Sequence, residues 1–590
     1  MFFAAVVFCV LAQETAQAIV SSNADPTSIF NGVNINQLVG AETFYANGYW
    51  GASAVISNVE AGFIWNGHES LGKVTTFIAD SSVVQTPKPY DFHATMVGEV
   101  LAGVLPQINL NYGPFILTYD APYTYWVSGT LSDGTNFNCS ALTGIAPSAS
   151  LWSAAVATSW NYEPDHSQEL VDSFSLTAQS LSYAYTVSML TGSGGKTADV
   201  INSSWGDSST HDGSGFYTKI IDALAYSTHK IVVMAAGNDS GPTGDPAAGY
   251  NGISVAATSS DTSSPVYGQA ASFSNRGPIP FYNPKTGVTV PNARAGVDIA
   301  APGDNLTLAF YGGLSGGHDP LYPGTSDPSN GSGGYYFYNV GGTSFSSPIV
   351  AGGAALVVDV GKSKFASDAH AIDGRVVKAV LLNSADKPAG WDNGQTIVGG
   401  IVTTKQALDY STGAGLLNLD KAYTQYTAGT TDLSSLTGGT VQSVGWAFGH
   451  VSPAGANDYG FADALHGGKL AVTLSWFVDR QMNGDGQSAS DIMFSNLDLE
   501  VFRVVDPQTT QLVAESISDY NNTEHLYFDV PGDGNYFLRV LYAGEVYNLT
   551  DVSSTGEDYG LAWYYTVPEP SVLILLASAF AAIMIFRRAR

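Results

Sequence analysis

Cysteine is almost absent. Two occur in 590 residues, Cys9 and Cys139, and Cys9 lies in an apolar leader. No disulfide framework is expected, so stability must come from packing or from metal. Charged side chains are also scarce, at 12% of the chain. Helix bundles use more Glu and Lys than this, so sheet and loop are expected instead. Basic residues are the scarcest: 22 Lys and Arg stand against 51 Asp and Glu, a formal charge of −29. That excludes nucleic-acid binding, which needs a basic surface. It favours solubility, and carboxylate-rich loops suit Ca²⁺. What is plentiful is hydrophobic residues (45%), Gly (65) and Tyr (32), enough for a real core and two to four domains.

The two ends read as targeting segments. Residues 2–11 are apolar, and Ala16-Gln17-Ala18 is a small-residue cleavage site, so residues 1–18 are expected to be a signal peptide. Its positive n-region is missing, which points to a true start elsewhere. At the other end Val567-Pro568-Glu569-Pro570-Ser571 precedes an apolar run of 15 residues and Arg587-Arg588-Ala589-Arg590. The run is shorter than the ~20 residues of a stable span, and its basic end would stay cytoplasmic. An ordinary short tail anchor is one reading. The Pro-Glu-Pro, short span and Arg cluster together resemble a PEP-CTERM sorting signal. That resemblance implies a Gram-negative exporter, a transient inner-membrane anchor and an exosortase-type partner. The product would lie at the cell surface, in the matrix, or free after tail cleavage.

The most informative stretch is Gly341-Gly342-Thr343-Ser344-Phe345-Ser346-Ser347-Pro348 and the apolar run after it. Glycines permit a tight turn, and the run predicts a buried helix with Ser344 at its mouth. Backbone N–H groups there favour negative charge, which suits a nucleophile in acyl transfer. Taken alone, this is also how a Gly/Ser loop before a core helix reads. Gly342 to Pro348 resembles the serine motif of the subtilisin-like (subtilase) peptidases, whose order is acid, His, oxyanion Asn, Ser.

The chain supplies each part in that order. Residues 52–62 alternate like a strand and end in Val59-Glu60-Ala61-Gly62, where the family carries Asp. Glu60 is the acid candidate, one methylene longer, with a plain surface carboxylate as the alternative. His93 opens His93-Ala94-Thr95-Met96-Val97-Gly98, read as the first turn of a helix. Thr95 and Val97 match the family's His motif; Ala94, Met96 and Glu99 do not. Ala198 to Gly206 reads as a buried strand with an open edge, and Ser204, Trp205 and Gly206 are expected to line a cleft where substrate backbone pairs. Residues 231–238 form a continuous apolar run, as a central parallel strand does, closing in Ala235-Ala236-Gly237-Asn238. The resemblance makes Asn238 the oxyanion donor and Ala235, Ala236 and Gly237 a pocket wall with room for a large apolar side chain. Residues 104–142 carry aromatics that alternate like a hairpin, and residues 307–342 form a Gly/Tyr-rich loop.

Strands alternating with helices over residues 39–426 predict an α/β fold, a subtilisin-like, mostly parallel sheet with helices on both faces. Residues 19–38 are a short extension, too short for the family's usual propeptide. After residue 426 the helical pattern stops, and alternating segments to residue 566 predict an antiparallel, jelly-roll-like β-sandwich; residues 567–590 are the sorting tail. Asn483-Gly484-Asp485-Gly486 with Asp491 offers oxygen ligands for structural calcium but lacks the EF-hand pattern, so a solvated turn is expected. The resemblance implies a monomeric, exported serine endopeptidase acting on proteins or peptides, with no cofactor and no catalytic metal. A non-catalytic surface protein on a decayed scaffold is the rival reading, and an esterase is a third.

Overall fold

The computed structural model describes residues 35–568, apart from 69, 84–89, 105–108, 113–114, 119–125, 131–135, 141–143, 162–172, 262–263, 310–335, 431–440 and 551. The expected signal peptide, most of the sorting tail and much of the 307–342 loop lie outside the described residues. So do the side chains of the expected aromatic hairpin, whose described strands pair as two separate ribbons.

An eight-stranded sheet forms the centre. Strands Val55–Glu60, Val200–Ser203, Ile231–Ala235 and Ile253–Asp261 run parallel in that order, with Ser150–Ala155 and Thr76–Ile78 on the other flank. Only Ser264–Ala270 runs antiparallel. Successive residues face opposite ways along a strand, and here both faces are apolar. Ile56, Val200 and Val233 enter one core; Val55, Ile201, Val232 and Met234 enter another. The first is covered by helices Phe92–Ala102, Thr343–Lys364 and Gly374–Asn383, the second by Ala178–Thr186 and Phe216–Thr228. Chain order reverses between Val55–Glu60 and Val200–Ser203, so a crevice opens beyond their carboxyl ends.

Two antiparallel sheets follow. One contains Val444–Val451, Glu557–Thr566, Lys469–Trp476 and Thr523–Asp529; the other is built on Ala489–Asp506 and Gly534–Asn548. Their facing residues, among them Trp476, Trp563, Tyr459, Leu499 and Leu538, make a separate core. A hairpin from earlier in the chain, Thr396–Val398 with Ile401–Thr404, joins the second sheet by pairing parallel with Thr509–Ser516. The sandwich is seated on helix Gly374–Asn383. There Gly560 is required, because a Cβ would lie 2.4 Å from the Arg375 backbone.

The helix Thr343–Lys364 is long and apolar enough to cross a membrane, but its apolar window is wholly buried inside the protein. It is the core helix that the run after Ser344 predicts.

Candidate active site

The crevice at the strand ends collects the predicted residues. Glu60 is the last residue of its strand and is 1% exposed; its Oε2 accepts from His93 Nδ1 at 3.1 Å, and the His93 side chain is 14% exposed. The second carboxylate oxygen, Oε1, accepts from the Ser204 backbone N–H at 2.9 Å. The longer acid is thus held at both oxygens, one on the imidazole and one on the neighbouring strand end. Such a contact fixes the tautomer, leaving the other ring nitrogen to act on a proton.

Asp91 places His93. It is the N-cap of helix Phe92–Ala102, and its Oδ1 accepts from the His93 N–H at 2.9 Å, as short acidic side chains do at helix starts. Burial works to lower the His93 imidazole, but the hydrogen bond and charge of Glu60, with the charge of Asp91, outweigh it and hold the ring above its ordinary value. Burial pushes the Asp91 carboxyl up to about 6, against the pull of His93 and with the added push of Glu60.

Ser344 lies in the first turn of its helix. Its hydroxyl donates to the Ser204 carbonyl at 3.0 Å, while the Ser204 hydroxyl donates to the Ser344 carbonyl at 2.8 Å. The second bond has a sequence cause. The Ser344 carbonyl would normally accept from the N–H four residues on, but that residue is Pro348, which has none. No hydrogen bond joins Ser344 to His93 among the described residues; rotation of the serine side chain is required to make one, and such contacts often tighten only with substrate.

Asn238 is exposed at the cleft. Its Oδ1 accepts from the Thr343 N–H at 2.8 Å and the Thr343 hydroxyl at 2.9 Å, which turns the amide Nδ2 away from these donors. Gly342, at φ 154°, brings the backbone under that Nδ2: a Cβ there would be 3.4 Å from it. Gly237, at φ 112°, has no room for a side chain, since a Cβ would lie 2.4 Å from Asn275 Nδ2. Asn238 Nδ2 therefore lies beside Gly342, two residues before Ser344, on the wall of the same cleft.

These residues line one cleft of about 810 Å³, with Ser204, Trp205 and Gly206 on one side and Ala235, Ala236 and Gly237 on another. All ten predicted site residues are on its surface. Trp205 donates from Nε1 to the Val59 carbonyl at 3.0 Å, and its ring meets Phe174 and Tyr217 edge-on. The open-edge expectation needs correction. Strand Val200–Ser203 is paired on both sides, because the carboxyl ends of its two neighbours flank it. Free peptide groups begin only past Ser204, whose own N–H and carbonyl are already engaged by Glu60 and Ser344.

Sequence reasoning missed Asp91, although an Asp two residues before the histidine is an ordinary helix-start signal. It also missed Asp245, which lines the cleft and accepts from the Thr218 N–H at 2.7 Å and the Tyr217 N–H at 3.2 Å. Asp245 thereby caps helix Phe216–Thr228, whose own N-cap, Gly215, has no side chain. Asp485 accepts from Gln487 and Ser488, and Asp491 is held by Arg480 and Lys219. No group of three metal-ligating side chains occurs among the described residues.

Residues 125–415 match the model of the subtilase family. The matched region contains Asn238 and Ser344 and begins after Glu60 and His93. Among solved structures, the chain is similar to the prenylagaramide maturation protease PagA, with 19% identity over 66% of this chain and 98% of that one, at TM-score 0.39. It is also similar to a mutant of the protease domain of PatA, with 18% identity over 63% of this chain and 95% of that one, at TM-score 0.38. No curated protein matches the chain.

Proposed function

Residues 125–415 are a subtilase-family domain, and from that premise we propose that the protein is an exported serine endopeptidase using Ser344, His93, Glu60 and Asn238. The observation that carries the reading is the Glu60–His93 hydrogen bond at 3.1 Å in the same cleft as Ser344 and Asn238. It supplies an oriented base where the family match itself does not reach.

In this reading Ser344 turns from the Ser204 carbonyl to His93 and gives up its proton as it attacks the peptide carbonyl. Glu60 stabilises the imidazolium that forms and stays ionised itself. Asn238 Nδ2 and a backbone N–H at the start of helix Thr343–Lys364 take the oxyanion. His93 then returns the proton to the leaving amine, and water repeats the cycle on the acyl-enzyme. Ser204, Trp205 and Gly206 face the substrate chain, while the small Ala235, Ala236 and Gly237 with the Trp205 ring leave space for a large apolar side chain. The chemistry needs no cofactor; structural calcium is left to metal analysis of the purified protein. The protein acts as a monomer on proteins or peptides. Export, a passing inner-membrane anchor and removal of the tail by an exosortase-type enzyme belong to the same proposal, since the residues that suggest them are those of the two ends.

The test is hydrolysis of casein and of a small ester by purified protein, beside Ser344→Ala. Casein cleavage lost in the variant supports the endopeptidase. Ester cleavage without proteolysis would make it an esterase, and inactivity of the folded protein on both would favour the non-catalytic surface protein.

A further inference from the structure

Two asparagines interrupt the apolar interior of the parallel sheet. Asn58 and Asn202 are wholly buried and stand directly opposite each other on neighbouring strands. Two residues before each, Ile56 and Val200 point the same way and enter the core beneath helices Phe92–Ala102 and Thr343–Lys364. Those two helices carry His93 and Ser344. Parallel strands covered on both faces ordinarily hold apolar residues at such positions, and a buried amide costs free energy unless its hydrogen bonds are remade.

Here they are remade as one chain that joins the two helices. Asn58 Nδ2 donates to the carbonyl of Ala94, the residue after His93, at 3.3 Å. Asn202 Nδ2 donates to Asn58 Oδ1 at 3.1 Å and to the Ser204 hydroxyl at 3.0 Å. Asn202 Oδ1 accepts at 2.8 Å from the hydroxyl of Ser347, about one turn beyond Ser344. The Ser204 hydroxyl ends the chain on the Ser344 carbonyl at 2.8 Å. Ala94 offers only a carbonyl, so Asn58 must turn its nitrogen there and its oxygen to Asn202. The direction of every bond in the chain follows from that. A satisfied buried network specifies one arrangement of the elements it joins. Apolar side chains of similar shape would hold the fold nearly as well, but they lose uniqueness of packing first.

We propose that Asn58 and Asn202 are positioning residues of the peptidase site, an inference that rests on the endopeptidase reading of the cleft. They hold the helix of His93 and the helix of Ser344 in one register, so that the Ser344 hydroxyl, on leaving the Ser204 carbonyl, meets the imidazole. Neither asparagine lines the cleft, so both act through the helices and not on substrate.

The experiment uses the full chain and a peptide substrate. Asn58→Leu combined with Asn202→Leu replaces both amides by apolar groups of similar size. In the folded double variant kcat should fall about 100-fold, as a displacement of ~1 Å in a reacting group does. KM should stay within about twofold, because substrate contacts are untouched. The acid limb of the pH profile should keep its wild-type position, because Glu60 still holds His93. A role in folding alone would lower the unfolding midpoint and leave kcat of the folded protein unchanged. That result overturns the proposal while the peptidase stands. A shifted acid limb overturns it too, since the defect would then lie in the Glu60–His93 pair. If the double variant does not fold, Ser347→Ala decides. It removes one hydroxyl from the chain and should lower kcat about 5-fold; wild-type kcat there is the contrary result. Folded wild type that cleaves no peptide overturns the endopeptidase reading and this inference together.

Discussion

Two buried charge clusters are built to opposite ends. In the cleft, Glu60 holds one nitrogen of a histidine that remains 14% exposed, and a second carboxylate, Asp91, stands nearby without a cation of its own. At the junction with the sandwich, Arg480 is 3% exposed and bonds through all three of its nitrogens. Nη1 goes to Asp222 at 2.8 Å, Nε to Asp491 at 2.9 Å and Nη2 to the Gly213 carbonyl at 2.6 Å. The first cluster leaves one hydrogen-bonding position open toward the cleft, as a group that must gain and lose a proton requires. In the second every guanidinium nitrogen has a partner. An open position marks the proposed site of chemistry, and a partner on every nitrogen marks the joint.

The comparison can be broken by changing one member of each cluster. The largest effect should come from Ser344→Ala, which removes the nucleophile both arrangements leave alone: kcat/KM should fall about 10⁶-fold with the unfolding curve unchanged. Glu60→Gln should cost about 10⁴-fold, the loss expected when an orienting carboxylate becomes an amide. Its sign in pH is also fixed. Glu60 raises the His93 value while burial lowers it, so the acid limb of kcat/KM should lie above the usual histidine range in the wild type and move to lower pH in the variant.

Arg480→Met should reverse the pattern. Removing one partner of a buried ion pair strands the others and costs about 3–5 kcal/mol of stability, measurable by urea unfolding, with kcat/KM nearly unchanged well below the transition. Asp91→Asn should have the smallest effect. Asn still caps the helix, so stability should hold, and the acid limb should shift down by less than in Glu60→Gln, because Asp91 acts on the His93 ring through charge without a hydrogen bond to it.

The parts of this design that are local were legible in the sequence. Glycines before Ser344, an apolar run ending in Asn238, and a histidine opening a segment of small residues at helical spacing each announce their own backbone, and strand periodicity placed the parallel sheet and the sandwich. What escaped depends on residues far apart in the chain. Nothing in Pro348 alone says that the carbonyl it frees will be met by Ser204. Nothing near residues 396–404 says that this hairpin will pair with a strand more than a hundred residues later. The Arg480 cluster joins Asp222 across 258 positions, a pairing that no window of sequence contains. The edge assigned to Val200–Ser203 failed for the same reason: apolar runs reveal a buried strand but not its neighbours.

The central claim is that Ser344 is an activated nucleophile. It is tested most directly by treating folded protein with a fluorophosphonate and mapping the adduct by peptide mass spectrometry. The account predicts one adduct, on Ser344, formed far more slowly in Glu60→Gln and absent in Ser344→Ala. Folded wild type that takes no label, or a label that persists in Ser344→Ala, would contradict it.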